Sequence, residues 1–472
     1  MAKVFNYLFI LVVLLNISFT FSQNIISVNY NIARDYNSFE ECGLNGEPVC
    51  TSLEDAGNRA IILSKTSNPT NYINIIGDIN GSTPVSLGNL YNYCGKLYIR
   101  SSNTSVNINI DGSNSTQQPF LNIQEADQPN STYPCSVQRL FQFQYLNFKN
   151  WDQTIVNINI NQETDQVSIN PSKSLLIYFQ IVNIISSSSI LMIYPKNLGQ
   201  TYNEKAIKVA FVTTIATNLR SSSVLFSPNS TEDHLSPIYI VGASIIRILN
   251  LSNSSLLSTP FIFLKNATLS TGAADSYASN NNFSSNPFIM STEGGNIVII
   301  SLSFINNRLS TFLYFSNSFN QPSIGVAFSN NTFSSDINQK CKYINYKYEN
   351  SVIVVKESIF STLDLLDYYS LAQNIITNNL IFVGDSNLNL DNSIISSSFY
   401  GEKHIINTID SSISINNLNL TWSDLPIIGS NSNIYLYYSV FTNDVFCGCQ
   451  GCNFYNQSIF VDPTVYSSEC NL

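Results

Sequence analysis

Few residues in this chain stand in a sequence pattern that is typical of acid–base catalysis. The two histidines, His234 and His404, are followed by Leu and Ile. No two aspartates are adjacent in the 472 residues, so the acid and base carboxylates of inverting glycoside hydrolysis are not recognisable. Eliminative cleavage would instead need acidic residues clustered around calcium and a basic residue that takes a proton.

The candidates for eliminative cleavage are Asp364 with Asp367, and Lys340 with Lys342. We interpret Asp364 and Asp367 as solvated carboxylates of a loop. We therefore predict no catalytic, cofactor-binding or metal-binding residues. Polysaccharide lyase or glycoside hydrolase activity is kept as the alternative function.

Two further residues favour structural roles over catalytic ones. Asp111 precedes Gly112, and Asp-Gly is a turn sequence. His404 follows Glu402 and Lys403, a charged run typical of an exposed bend.

The first 22 residues have the pattern of a cleaved signal peptide. Lys3 supplies a positive start, residues 8–17 an apolar core, and residues 20–22 (Thr-Phe-Ser) a cleavage-site pattern in which Thr20 and Ser22 are small. A membrane anchor needs roughly 20 apolar residues, and Asn16 interrupts this core. We expect no later membrane span and a secreted, extracellular protein.

Sequons for N-glycosylation fit an exported protein, although a chain rich in Asn, Ser and Thr also forms them by chance. They begin at Asn80, Asn103, Asn114, Asn130, Asn229, Asn250, Asn253, Asn266, Asn282, Asn330, Asn419 and Asn456.

The composition excludes several classes of partner. Only 11% of residues are charged and 44% are hydrophobic, so the chain can bury a core while amides and hydroxyls wet its surface. The formal net charge is -10 and no basic patch is visible, which argues against nucleic acid and anionic membranes.

Nine cysteines concentrate toward the two ends of the chain. A thiolate metal cluster is the alternative for the C-terminal group, but no histidine lies near it, and exported chains oxidise their thiols. We expect disulfides, with connectivity open, among Cys42, Cys50, Cys94, Cys135, Cys447, Cys449, Cys452 and Cys470. The odd residue is Cys341, our candidate for a free or intermolecular thiol.

A phrase of aliphatic run, aromatic residue and paired asparagines recurs along the chain. Phe304-Ile305-Asn306-Asn307 is followed one repeat later by Phe328-Ser329-Asn330-Asn331. A period in the twenties with one apolar run per repeat predicts a solenoid, in which each coil shelters the apolar side of the next. Stacked asparagines can form ladders at the bends and tolerate left-handed backbone.

The local patterns place one helix before a long series of strands. Residues 52–61 predict a helix with Ser52 as N-cap. Alternation at 106–110 (Val-Asn-Ile-Asn-Ile) predicts a strand with its aliphatic residues on one face, and 238–251 and 413–420 also read as β-runs. We predict an all-β fold without a substantial helix after residue 65.

These residues resemble the right-handed parallel β-helix of the pectin-lyase-like superfamily. The resemblance is carried by the helix at 52–61, by Ile108-Asn109-Ile110-Asp111-Gly112, and by Phe460-Val461-Asp462-Pro463 near the end. The segment from Cys42 to Cys50 resembles that of secreted and cell-surface eukaryotic members. The resemblance implies one parallel β-helix over 23–472, capped by the short helix.

The superfamily includes enzymes that cleave polysaccharides, but their paired aspartates, His-Gly and Arg-x-Lys are not seen in this sequence. We therefore expect a non-enzymatic structural protein or an adhesion protein. Its partners would be extracellular glycans or cell-surface proteins, which exposed Tyr and Asn residues can contact.

Overall fold

The structure is a computed structural model, and it describes most of the chain in segments. These are residues 23–65, 70–80, 85–113, 118–125, 135, 138–152, 154–160, 174–195, 207–220, 236–247, 250–255, 260–271, 276–283, 287–293, 296–299, 302–309, 311–316, 323–329, 331–333, 351–356, 359–366, 374–376, 379–384, 386–391, 394–395, 399–400, 406–416, 419–420, 427–437, 439–441, 447–450, 452–456 and 459–460.

The described residues form one α-helix, one short 3-10 helix and forty strands, numbered here in chain order. The 3-10 helix is Phe39–Glu41 and the α-helix, α1, is Leu53–Leu63. The first strands are β1 (Gln23–Val28), β2 (Thr70–Ile75), β3 (Lys96–Ser101), β4 (Ile108–Asp111), β5 (Leu121–Gln124), β6 (Arg139–Lys149), β7 (Thr154–Ile160), β8 (Leu175–Ile185), β9 (Ser189–Pro195), β10 (Ile207–Val212), β11 (Ile215–Thr217), β12 (Ile238–Val241), β13 (Ser244–Arg247) and β14 (Asn250–Ser252).

The middle strands are β15 (Ile262–Lys265), β16 (Thr268–Thr271), β17 (Tyr277–Ser279), β18 (Pro287–Thr292), β19 (Asn296–Ile299), β20 (Ser303–Ile305), β21 (Arg308–Leu309), β22 (Thr311–Ser316), β23 (Ser323–Ser329), β24 (Thr332–Phe333), β25 (Ser351–Lys356), β26 (Ile359–Leu366) and β27 (Asn374–Ile376). The last are β28 (Asn379–Gly384), β29 (Asn387–Asp391), β30 (Ile394–Ile395), β31 (Phe399–Tyr400), β32 (Ile406–Ile409), β33 (Ser412–Asn416), β34 (Asn419–Leu420), β35 (Ile427–Ser430), β36 (Asn433–Tyr437), β37 (Ser439–Phe441), β38 (Cys447–Gln450), β39 (Asn453–Asn456) and β40 (Ile459–Phe460).

The strands pair in parallel and form two long sheets and two short ones. Sheet A has 20 strands and sheet B has 12. Sheet C joins β21, β24, β27 and β31, and sheet D joins β30, β34, β37 and β40. Each pairing joins a strand to the strand one coil later, so the predicted all-β solenoid is confirmed.

Coil length varies although the strand register is kept. In sheet B, Ile262 pairs with Ile238 of the coil before it and with Ile289 of the coil after it, and the second of these steps is the longer in sequence. Near the C-terminal end the step from Ile427 to its partner Cys447 is shorter than either. The insertions therefore fall between the strands, where they do not disturb the stacked core.

The N-terminal coils carry the predicted helix against their end. The Ser52 hydroxyl caps α1 by accepting a hydrogen bond from the Asp55 N–H at 3.0 Å, as the sequence predicts. Leu53, Ala56 and Ala60 are fully buried against the first coils. The helix ends at Leu63, slightly beyond the predicted boundary.

The core consists of inward-facing residues of successive coils. In β3 and β4 buried and partly exposed residues alternate, so one face of each strand points inward. Ile108 and Ile110 face the core, whereas Val106 is 55% exposed because it lies in a bend before β4. The prediction that all three aliphatics share the inner face is wrong at Val106.

The bends that follow strands β17 and β20 explain the paired-asparagine phrase. Asn280 and Asn306 have left-handed backbone (φ 56° and 54°). The residues that follow them, Asn281 and Asn307, point inward and are buried. The N–H of Asn281 donates to Asn307 Oδ1 at 3.0 Å, and the N–H of Asn307 donates to Asn331 Oδ1 at 2.8 Å. The predicted ladder of asparagines is confirmed at this bend.

Aromatic residues stack from coil to coil beside the ladder. The rings of Phe261 and Phe288 are 5.2 Å apart and those of Phe288 and Phe312 5.8 Å apart, in stacked geometry. Phe304 packs edge-on against Phe312 at 5.1 Å. Phe304 of the recurring phrase is thus a fully buried core residue.

Two predicted β-runs each include parts of more than one strand. Residues 238–251 form parts of three strands, β12, β13 and β14, and residues 413–420 belong to β33 and β34. A left-handed Gly242 (φ 65°) separates β12 from β13. A continuous apolar run cannot reveal such a corner, because core residues flank it on both sides.

Candidate functional site

Most of the acid–base candidates named from the sequence lie outside the described segments. These are His234, His404, Lys340, Lys342 and Asp367. For Asp364 the structure gives only the backbone, which lies in β26 and pairs with Gly325 in sheet A. The prediction that this residue lies in a loop is therefore wrong. The structure therefore does not bring these candidates together into a described site.

Asp111 has the structural surroundings of a turn residue. Its Oδ1 accepts hydrogen bonds from the Ser113 N–H at 2.9 Å and from Asn150 Nδ2 at 3.3 Å. Gly112 follows because a side chain there would meet the Trp151 ring, which lies 2.5 Å from an ideal Cβ position. The turn interpretation of this Asp-Gly pair agrees with these contacts.

Within the described segments, no group of three or more His, Cys, Asp or Glu side chains is arranged to hold a metal ion. No helix among the described residues is long and apolar enough to cross a membrane.

Disulfides occur at the predicted cysteines. Cys42 bonds to Cys50, and Cys94 bonds to Cys135 across 41 residues of sequence. Cys452 is also disulfide-bonded. Cys341 and Cys470 lie outside the described residues, and for Cys447 and Cys449 only the backbone is described.

Five of the predicted sequon asparagines are described and exposed: Asn80, Asn103, Asn253, Asn266 and Asn282. Asn250 is half-buried, and its Oδ1 accepts a hydrogen bond from the Tyr277 N–H at 3.0 Å. Asn114, Asn130, Asn229 and Asn330 lie outside the described residues, as do the side chains of Asn419 and Asn456 and all of residues 1–22.

The two long sheets differ in their outer faces. On sheet B, apolar residues on the face opposite the main core are only 2–6% exposed and form a second buried cluster. They are Met192, Tyr239, Phe263, Met290 and Tyr314, aligned by register. The outward residues of sheet A in its N-terminal coils are instead mostly polar and half-exposed, with a few apolar residues such as Leu140 and Leu176 among them. This polar, accessible surface makes the face the candidate site.

An asparagine ladder runs across the outer surface of sheet A. Asn183 Nδ2 donates to Asn147 Oδ1 at 2.8 Å, and Asn147 Nδ2 donates to Asn109 Oδ1 at 3.1 Å. Asn109 Nδ2 in turn donates to Asp78 Oδ2 at 2.7 Å. The amides of three coils are thus held in one orientation and end at a carboxylate.

Glutamines form a second row beside this ladder. The side-chain amides of Gln142 and Gln144 both donate to Gln180 Oε1 on the next coil. We call the glutamines together with Asn109, Asn147 and Asn183 the amide face. Its side chains are half-exposed, so their remaining donors and acceptors are available to a ligand.

Tyrosines and an arginine adjoin the amide face on the preceding coils. Tyr72 and Tyr98 stack with ring centroids 4.8 Å apart. The Arg100 guanidinium lies 4.4 Å from the centre of the Tyr72 ring, and its Nε donates to Asn74 Oδ1 at 2.9 Å. Burial, and next the neighbouring Tyr72, raise the pKa of Tyr98, so its hydroxyl keeps its proton at neutral pH.

Sequence reasoning did not find this site. The residues that form it come from segments 26 to 40 positions apart, as Asn74 and Arg100 or Asn107 and Asn147 illustrate. A coil length assumed constant along the sequence would therefore bring the wrong side chains together. Only the alternation of polar residues in the individual strands, such as Gln142 and Gln144, could have indicated an outward polar face.

A scan against protein-family models finds no match for this chain, and no curated protein sequence matches it significantly.

Proposed function

We propose that this protein is a secreted, N-glycosylated parallel β-solenoid that binds extracellular glycans through the amide face and acts in adhesion without catalysis. The proposal includes a right-handed coil and kinship with the pectin-lyase-like superfamily. The confirmed parallel coils and capping helix support that kinship. The disulfides are compatible with an extracellular location.

The observation that carries the proposal is the ordered, half-exposed amide face. Sugars present hydroxyl groups that both donate and accept hydrogen bonds, and side-chain amides do the same. Because Gln142 and Gln180 already hold each other in place, little side-chain entropy is lost when a ligand binds. Tyr98 and Tyr178 add apolar surface beside the amides.

The distribution of sequons supports the same face. Residues 131–228 contain ten asparagines, but none of them begins an unblocked sequon, since Asn170 is followed by Pro171. This segment supplies β6 and β8, which carry five of the six residues of the amide face. No N-glycan would therefore be attached to the central strands of the surface that is proposed to bind.

The proposal is tested with the mature protein purified from the medium of eukaryotic cells. We expect binding to a subset of glycans on an array, and we expect the double variant Gln142→Ala/Gln180→Ala to lose most of it. The matched control is Asn433→Ala/Asn453→Ala, a hydrogen-bonded amide pair on the same sheet in the last coils. Equal binding by both variants would exclude the amide face.

The absence of catalysis is tested separately. Uronate and neutral polysaccharides are incubated with the protein, with and without calcium, and chain length is followed. We expect no shortening. Depolymerisation would replace the proposal with the lyase or hydrolase alternative.

A further inference from the structure

The outer surface of sheet A in the N-terminal coils carries more cations than carboxylates, although the chain as a whole is acidic. Across β2, β3, β4, β6, β8, β10 and β11 the outward charged residues are Lys96, Arg100, Lys149 and Lys208, against one carboxylate, Asp111. The whole chain contains 21 Lys and Arg but 31 Asp and Glu. The face that is proposed to bind glycans is therefore locally positive on an acidic protein.

Arg100 is the best organised of these cations. Stacking on Tyr72 and the hydrogen bond from Nε to Asn74 fix the plane of its guanidinium. Among the described residues, no carboxylate forms an ion pair with Arg100. The terminal nitrogens of Arg100 form no hydrogen bond with any described residue. A fixed guanidinium with both terminal groups available is suited to an oxyanion.

The neighbouring amide increases the number of donors at this position. Asn74 uses its Oδ1 to accept from Arg100, so its Nδ2 group remains a donor beside the guanidinium. The Tyr98 hydroxyl is a further neutral donor on the same strand. The carboxylates of Asp111 and Asp78, which adjoin the face, already accept hydrogen bonds from their own neighbours.

The spacing of the cations indicates how charge is distributed on the ligand. Lys96 and Arg100 are four residues apart on one strand, about 13 Å at about 3.3 Å per residue. Lys208 lies three strand spacings from Lys96, about 14 Å at about 4.8 Å per strand. In register, Leu140 and Leu176 lie between Lys96 and Lys208, and Tyr98 lies between Lys96 and Arg100, so uncharged residues separate the cations. A polymer with a charge on every ring would place most of its anions against these neutral groups.

We propose that this face binds a predominantly neutral polysaccharide that carries widely spaced oxyanion substituents, with Arg100 holding one of them. Sulfate and carboxylate groups share the required chemistry. This inference rests on the proposed glycan-binding function and names its ligand class.

The test measures binding of a dextran series of one chain length: unmodified, sparsely sulfated, sparsely carboxymethylated and densely sulfated. We expect one or both sparse polymers to bind more tightly than unmodified dextran, and the better of the two identifies the substituent. Arg100→Gln should weaken that binding about tenfold or more, since a hydrogen bond to a charged group contributes about 1.5 kcal/mol or more.

The matched control is Arg308→Gln, which removes the same charge from an exposed position in sheet C. Arg308→Gln should leave binding unchanged, and thermal unfolding should show that both variants are folded. Arg100→Lys should recover only part of the affinity, because an ammonium group lacks the planar fork.

Three results would overturn the inference. The first is equal binding of modified and unmodified dextran. The second is tighter binding of the densely sulfated polymer together with equal losses of affinity in Arg100→Gln and Arg308→Gln. The third is that no member of the series binds. Glycan-array binding that survives Arg100→Gln would leave the proposed function standing without the anionic ligand. An array without any binding would remove both.

Discussion

Asp78 and Asn109 are joined by two hydrogen bonds, one to each carboxylate oxygen. The Asn109 N–H donates to Oδ1 at 2.8 Å and its Nδ2 donates to Oδ2 at 2.7 Å. The hydrogen bond from the backbone of Asn109 is the largest cause that lowers the pKa of Asp78, followed by the one from its side chain. This pair anchors one end of the asparagine ladder.

The lowered pKa of Asp78 predicts an acid-sensitive contribution to stability. A carboxyl whose pKa is lower in the folded state stabilises the fold above its unfolded pKa, and the contribution disappears as pH falls through the folded pKa. We therefore expect Asp78→Asn to reduce the slope of unfolding free energy against pH below pH 4. Urea titrations at several pH values measure this slope. The exposed Asp35 provides the control, as Asp35→Asn, and identical slopes for both variants would contradict the prediction.

The internal ladder predicts a large difference between two adjacent asparagines. Asn307 is 2% exposed, and its side chain bonds to Asn281, Asn331 and the Ala278 carbonyl. Asn307→Ala leaves several of these groups unsatisfied and should lower the free energy of unfolding by about 2–4 kcal/mol. Its neighbour Asn306 is exposed, so Asn306→Gly should cost less than about 1 kcal/mol. Chemical denaturation compares them, and equal losses would show that the ladder is not the stabilising element.

Close packing of Trp151 predicts that Gly112 cannot carry a side chain. A Cβ at Gly112 would lie 2.5–2.7 Å from three atoms of the buried indole. Gly112→Ala should therefore destabilise the fold by about 1–3 kcal/mol through overpacking. Gly46→Ala is a stringent control, since nothing lies within 4 Å of its Cβ position and only its positive φ of 88° is strained. Trp fluorescence during unfolding reports the effect; a milder loss at Gly112 than at Gly46 would argue against the indole contact.

The raised pKa of Tyr30 predicts that the fold loses stability at alkaline pH. Burial is the main cause that raises its pKa to about 12, and its hydroxyl accepts a hydrogen bond from the Leu53 N–H at the start of α1. Because the folded pKa is higher than the unfolded value near 10, this stabilisation is complete below pH 10 and is lost as pH rises toward 12. The loss should amount to about 2–3 kcal/mol.

The measurement for Tyr30 is unfolding free energy between pH 9 and pH 11.5. Tyr30→Phe removes the titrating hydroxyl, so this variant should be less stable at pH 8 and lose less stability as pH rises. An unchanged pH dependence in Tyr30→Phe would assign the alkaline effect to other groups.

The sequence predicts the kind of fold well because each coil repeats a local signal. Asn306-Asn307 combines a residue that tolerates left-handed backbone with one that can bond along the ladder, and both properties belong to the residue type. The N-cap Ser52 is likewise a local feature. Such signals do not depend on knowing which coil is stacked on which.

The outer surface cannot be predicted in this way. Whether Asn147 meets Asn109 depends on the number of residues in the intervening loop, and loop length is not determined by the strands that it connects. The same holds for Arg100 and Tyr72, whose contact requires the correct register of β2 with β3. A change of one residue in register would turn either side chain inward.

The variable length of the coils has an evolutionary consequence. Ile427 and Cys447 keep their register across a short connection, and Ile262 and Ile289 keep theirs across a longer one, so neither the ladder nor the core fixes how much chain lies in a turn. Whole turns could be duplicated, and loops could lengthen, without altering the contacts made by adjacent ones. A lineage could thus extend or diversify such a molecule piece by piece, with its surface chemistry changing faster than its interior.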